Sequence, residues 1–253
     1  MLLRRWTMRF SSVILCAVTA SWAAYATDLE SSVPAGRTHF YTQHNIIHSP
    51  LAVNWDSYAG YVLPQRGRSV VTSVSLRWRE PVARCAAHEN SFSSPWDGIA
   101  YDRPDILVQT GSDIVCLNGL PEYSVWWEIY PNPSHYYASK VSPGDLLEAT
   151  VISDSSTKSF TMKIANLTTH WVNQRKQRWS TTPIGAEAQF FMEAPHGQLT
   201  NFGQAHFTDV KANGQIIGTF RADRVSMVRH GVTRAVTSPL ANKQAFTVGW
   251  RHG

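Results

Sequence analysis

The feature that most constrains this chain is a two-residue hydrophobic period. Val70, Thr72, Val74, Leu76 and Trp78 alternate with Val71, Ser73, Ser75 and Arg77, and Phe160, Met162 and Ile164 alternate with Ser159, Thr161 and Lys163. Successive side chains of a strand point to opposite faces, so this pattern marks strands with one face on a core. Turn signals recur between such runs at Gly67, at Ser142-Pro143-Gly144-Asp145 and at Asn213-Gly214. No long stretch has helical spacing, and no segment repeats in tandem. Many strands with short connections in one chain predict an all-β, antiparallel sandwich. The chain has 253 residues, 43% of them hydrophobic, which is enough for a large core. A charged fraction of only 16% argues against disorder.

The N-terminus reads as an export signal. Arg4, Arg5 and Arg9 precede an apolar run through Val13, Ile14, Leu15 and Val18, and Ala24-Tyr25-Ala26 supplies the small-x-small pattern of a cleavage site. The run is shorter than the roughly 20 residues that span a bilayer. The expected organisation is a signal peptide over residues 1–26, an extended lead-in or short pro-segment over 27–50, and one sandwich domain over 51–253. The mature chain is expected to be secreted, extracellular or periplasmic, free of the membrane and a monomer.

Three arginines and no acid leave with the signal, so 20 basic residues then face 18 acidic ones, a formal +2. No Lys/Arg stripe stands out, and nucleic acid is not an expected partner. Cys16 also leaves, and Cys85 with Cys116 then allows one pairing, expected as a disulfide in an exported protein.

Several kinds of chemistry are excluded by their missing signatures. There is no Gly-x-Ser-x-Gly elbow, no His-Glu-x-x-His, and no Asp-Thr-Gly or Asp-Ser-Gly. His44 and His48 are four apart, but Asn45 stands where a zinc-peptidase helix carries its Glu, and no His/Cys cluster has zinc spacing. No metal or other cofactor is expected. What remains is polar residues set in apolar strands. Gln109 follows Ile106, Leu107 and Val108; Trp126, Glu128 and Tyr130 share one face of their strand; Glu187, Gln189 and Glu193 share a face of another. Such groups are costly to bury without partners. Two readings stay open on pattern alone: a polar site, or strands that simply alternate between core and solvent.

An ordered set of short motifs narrows the choice. Asn54-Trp55 with Ala59-Gly60-Tyr61-Val62, Glu80-Pro81, Trp96 with Gly98-Ile99, Val108-Gln109-Thr110-Gly111-Ser112-Asp113, Trp126-Trp127-Glu128-Ile129-Tyr130-Pro131, Gly144-Asp145, Asn166-Leu167-Thr168-Thr169, Phe190-Phe191-Met192-Glu193 and Phe207-Thr208-Asp209 follow one another along the chain. In this order they resemble the eqolisins, the secreted acid glutamic peptidases, over about residues 52–215.

The resemblance implies a concanavalin-like lectin/glucanase sandwich of two curved antiparallel sheets with a cleft across one face. It implies an endopeptidase acting on peptide or unfolded protein, with Gln109 and Glu193 as the catalytic pair. Trp96, Trp126, Glu128 and Tyr130 match the residues that bind substrate there. In the implied mechanism Glu193 activates a water as general base and then protonates the leaving amine, while Gln109 stabilises the oxyanion. Three positions depart from the family pattern: Ala100 and Ala194 stand where acidic residues are usual, and Gln189 replaces the first Glu of Glu-x-x-x-Glu. Asp97 and Asp102 are the neighbours that could replace the acid missing at Ala100. Two other functions fit the same sandwich: a carbohydrate- or peptide-binding module without catalysis, and a glycoside hydrolase using Glu128 and Glu193.

Overall fold

The computed structural model describes residues 52–64, 70–103, 105–180, 184–194 and 197–253. The expected signal peptide, the lead-in, the His44/His48 pair and the Gly67 turn lie outside these residues. The described chain is almost entirely strand: β1 (Ala52–Trp55), β2 (Tyr58–Leu63), β3 (Ser73–Arg79), β4 (Ser91–Arg103), β5 (Ile106–Leu117), β6 (Leu120–Tyr130), β7 (His135–Tyr136), β8 (Leu146–Asp154), β9 (Ser159–Asn166), β10 (Trp171–Arg178), β11 (Ile184–Glu193), β12 (Gln204–Ala212), β13 (Gln215–Ile216), β14 (Asp223–Arg229), β15 (Val232–Thr237) and β16 (Phe246–Trp250).

One hydrogen-bonded path runs β10-β9-β8-β3-β12-β16-β15-β14-β2-β11-β4-β5-β6-β7. It folds back on itself, so that β3, β8 and β9 pack against β4 and β5. The result is the expected sandwich, with a back layer around β8-β3-β12 and a front layer around β2-β11-β4-β5-β6. Pairing is antiparallel throughout that path, and β1 adds a parallel contact with β14.

The alternation seen in the sequence sets the inward faces. Val74, Leu76 and Trp78 of β3, Leu147, Ala149 and Val151 of β8, and Phe160, Met162 and Ile164 of β9 meet Ile99, Val108, Ile114 and Phe190 of the front layer in one buried core. The period breaks before Ser73: Val71 is buried while Val70 is exposed. There the backbone N–H groups of Thr72 and Ser73 donate to Asn213 Oδ1, at 2.7 and 3.2 Å, so a turn holds the chain before the ladder begins. Asn213-Gly214 turns β12 into β13, and Asn118-Gly119 turns β5 into β6, all four residues with positive φ. Two-residue hairpin loops require that conformation at both positions, and Asn-Gly supplies it at little cost.

Cys85 and Cys116 form the expected disulfide, tying the segment after β3 to β5. Asn166-Leu167-Thr168 has the form of a glycosylation sequon but serves the turn after β9. Asn166 is buried, its Nδ2 donates to Asp145 Oδ2 at 2.8 Å, and its Oδ1 accepts from the backbone N–H of Thr168 and Thr169. The atom a glycan would need is thus committed to the turn.

Two carboxyls are sealed into the layers. Glu80 accepts hydrogen bonds from Trp78 Nε1 at 2.9 Å and Ser112 Oγ at 2.6 Å. Burial pushes its pKa up to about 8, against the pull of those two donors, with Asp113 and Asp145 adding to the rise. Asp97 lies on the core face of β4, opposite Thr110 and Phe190, and burial raises it well above the ordinary carboxylate range. Each group holds its proton in the folded chain after the unfolded chain has released it. For Glu80 that contribution to stability is complete below about pH 4 and is lost as pH rises toward 8.

Unfolding free energy measured in urea should accordingly fall between pH 4 and 8. Glu80→Gln, which keeps the acceptor oxygen but cannot ionise, should flatten that fall; an unchanged slope would assign it to other groups. Replacing both Cys85 and Cys116 by Ser should cost roughly 2–4 kcal/mol of stability, read from the shift in the urea midpoint.

Candidate active site

The front layer is buried on both faces. Its second, outer face carries a separate cluster of Val62, Trp96, Ala100, Leu107, Trp126, Phe191 and Val225, flanked by Trp55, Tyr58 and Tyr130. The strand registers arrange this face in rows. One row is Gln189–Gly98–Gln109–Glu128, across β11, β4, β5 and β6. On one side of it lies Glu187–Ala100–Leu107–Tyr130, and on the other Phe191–Trp96–Gly111–Trp126. Beyond those, Glu193 stands opposite Ser94, and Asp113 opposite Ser124. All six residues named from the sequence for catalysis and substrate binding therefore project from one face. Gln109 and Glu193 lie diagonally across β4, on either side of the row that holds Trp96.

Two glycines make the face passable. A Cβ at Gly111 would lie 2.4 Å from the Pro95 carbonyl oxygen and 2.6 Å from Trp96 Cβ. At Gly98 it would lie 2.9 Å from the Val108 carbonyl oxygen and 3.0 Å from Gln109 Cβ. Any larger residue at these positions would displace Trp96 or Gln109. The bare backbone of Gly98 thus separates the amides of Gln109 and Gln189.

Each polar side chain here has a partner that fixes it. Trp96 Nε1 donates to Glu193 Oε2 at 2.8 Å, and both residues are buried. Gln109 Nε2 donates to Glu128 Oε2, which sets the orientation of the amide, while its own Oε1 is buried without a hydrogen-bond partner. A buried amide oxygen of this kind is ready to accept from a water or a substrate N–H. Gln189 Nε2 donates to Glu187 Oε1 at 2.6 Å. Burial moves the Glu187 carboxyl up to about pH 7; the Gln189 bond opposes the shift, and Asp102 and Asp223 reinforce it.

The departures from the family pattern can now be placed. Asp97 points into the core and is unavailable to this face, so it does not replace an acid at Ala100. Asp102 lies on the side of Ala100, exposed, and is felt electrostatically by Glu187. Gln189 keeps a carboxyl beside it through Glu187, on the same strand face. Ala194 is buried, and its N–H donates to the Ser57 carbonyl at 2.9 Å. Trp96 and Trp126 belong to this outer cluster and not to the inter-sheet core. Trp127 faces the other way, packing on the core with His135 stacked at 4.3 Å and the Arg175 guanidinium 5.3 Å from its ring.

The sequence reading passed over Tyr58, Phe191 and Ser94, which pack or bond beside Glu193 and Trp96. It also passed over Asp113. The signal for Asp113 was present, since positions 109, 111 and 113 of one strand share a face. Among the described residues, no group of three or more His, Cys, Asp or Glu side chains could hold a metal ion, and no helix is long and apolar enough to cross a membrane.

Comparison with known proteins places this arrangement. The model of the Peptidase A4 family matches residues 56–250. The fold is shared with scytalido-glutamic peptidase, solved with a transition-state analog inhibitor: TM-score 0.63, 20% identity, 78% of this chain and 98% of that one covered. It is shared with SCP-B, a member of the eqolisin family solved with the tripeptide Ala-Ile-His: TM-score 0.58, 18% identity, the same coverage. Aspergilloglutamic peptidase from Aspergillus niger superposes at TM-score 0.55 with 23% identity, over 64% of this chain and 99% of that one. No curated protein matches the sequence. With its family model covering most of the chain, this protein belongs to the Peptidase A4 family, the eqolisins, and is a glutamic endopeptidase.

Proposed function

We propose that the outer face of the front layer is the cleft in which this chain cleaves extended peptides, after export and under acidic conditions, with Gln109 and Glu193 as the catalytic pair. One observation carries the assignment. Both side chains are almost completely buried on one face, each oriented by a neighbour, and the indole of Trp96 holds the Glu193 carboxylate in the row between them. A buried carboxylate tied to a rigid donor is pre-organised for proton transfer.

The chemistry follows from the two groups. Ionised Glu193 takes one proton from a water, whose oxygen bonds to the scissile carbonyl carbon. The carbonyl electron pair moves onto oxygen and is met by the second amide N–H of Gln109, the one not given to Glu128. The C–N bond then breaks as the proton on Glu193 passes to the departing nitrogen, which regenerates the carboxylate. A glutamine does not titrate, so the oxyanion donor persists in acid. Glu128 fixes which end of the Gln109 amide faces it, and Trp126 and Tyr130 frame the substrate's path. Export is supported by the basic, apolar and small-residue pattern of residues 1–26 and by the disulfide.

Cleavage of a denatured protein across pH 2–7 tests the assignment. Glu193→Gln and Gln109→Ala should each lower kcat/KM by about 10²-fold to 10³-fold or more while near-ultraviolet circular dichroism stays unchanged. Full activity in either folded variant removes that residue from the pair. Trp96→Phe keeps the ring and deletes the donor to Glu193, and should cost about tenfold in kcat, as expected for one hydrogen bond to a charged group. Sugar binding with no peptide cleavage by the wild-type chain would favour a binding module on the same sandwich.

A further inference from the structure

The row of Glu193 holds a second carboxyl that the reaction above does not use. Glu193 is paired with Ser94 across β11 and β4. Ser94 lies between the paired positions Ser93↔Ile114 and Trp96↔Gly111, which sets it beside Asp113 on β5. Asp113 is in turn opposite Ser124 on β6. Glu193 and Asp113 are thus two buried carboxyls flanking one serine on the same face, with exposures of 4% and 3%.

The hydrogen bonds around the serine are directional. Ser94 Oγ donates to the Ser112 carbonyl at 2.7 Å and accepts from Trp126 Nε1 at 3.2 Å. Asp113 is set among donors: Tyr136, Ser94 and Trp126 bond it, and Ser124 Oγ donates to its Oδ2 at 3.5 Å. The charged groups that face this carboxyl are Glu193 from β11, Glu128 from β6 by way of Tyr136, and Glu80 across the sheet.

We propose that Asp113 is a positioning residue for the reaction: a carboxyl that keeps its proton in the working state, so that Glu193, on the other side of Ser94, carries the negative charge of the row. The proposal rests on Glu193 being the general base. Two anions cannot share this buried row cheaply, so with Glu193 as the base the proton falls to Asp113. Burial pushes Asp113 up to about 7, against the pull of its donors, and the charge of Glu193 adds to the shift. As pH rises through that range Asp113 ionises, the charge on Glu193 becomes costly, and turnover falls. Asp113 thereby sets the alkaline limit of activity.

The test is the pH profile of kcat/KM for the wild type, Asp113→Asn, Asp113→Ala and Glu193→Gln, with near-ultraviolet circular dichroism over the same pH range. Asp113→Asn mimics the protonated carboxyl. It should retain turnover at pH 4 to within about tenfold and move the alkaline limb upward by at least about one pH unit. Asp113→Ala removes the hydrogen bonds as well and should lose more than about tenfold at every pH. An alkaline limb that stays in place in folded Asp113→Asn overturns the proposal, as does a limb that coincides with unfolding in both proteins. Complete loss of turnover in folded Asp113→Asn also overturns it, by making Asp113 an obligatory proton donor. If Glu193→Gln is active, the assignment of the base has failed. If Glu193→Gln is inactive and the limb of Asp113→Asn is unmoved, only the role of Asp113 has failed.

Discussion

Burial of the front layer on both faces is the constraint from which the rest of this structure follows. Strand β5 has a packed hydrophobic core beneath it and an aromatic cluster above it, and its residues from Ile106 to Ile114 are all buried. A polar side chain in such a strand cannot be satisfied by bulk water and must find a fixed partner. Gln109 finds Glu128, Thr110 donates to the Trp126 carbonyl at 2.6 Å, and Ser112 donates to Glu80. The rigidity that catalysis requires is the same rigidity that burial imposes. The glycines at 98 and 111 are the complement of this arrangement, because the face carries its large rings only where a neighbouring position has no side chain at all.

The same constraint has an electrostatic consequence. Glu80, Asp97, Asp113 and Glu187 are carboxyls whose burial raises them above the ordinary range. Hydrogen bonds from Trp78, Ser112, Ser94, Trp126, Tyr136 and Gln189 oppose the rise without cancelling it. A fold of this kind stores protons. It is favoured in acid because its buried acids are neutral there, and its stability and its proposed reaction then depend on pH in the same direction.

Much of this was legible along the chain, and the residues show why. The alternation in β3 and β9 predicted strands because a half-buried strand leaves that imprint, and the ordered motifs carried the family. Trp78 was readable as core from its phase within an alternating run. Other assignments were out of reach. Val70 continued the apparent phase of β3, yet the side chain of Asn213, about 140 residues away, captures the backbone just after it. Asp97 seemed a possible substitute for an acid at position 100. Its odd spacing from that position sends it to the core face, which becomes certain only when β4 is paired with β5 and β11. Trp96 and Trp126 were equally consistent with core and cleft, since both environments are apolar and only the second cluster separates them.

Strand periodicity, the Cys85–Cys116 pairing, the Asn213-Gly214 turn and the family motifs are readable along the chain, because each depends on residues close in the chain or on residue type alone. The tertiary structure decided which face each polar side chain occupies relative to the others. It put Gln109 against Glu128, Glu193 under Trp96, Gln189 across Gly98, and Asp113 in the row of Glu193. Those relations join β11, β4, β5 and β6, strands up to about a hundred residues apart, and they are set by register. A shift of one residue in any pairing would have turned the same side chains to the opposite face.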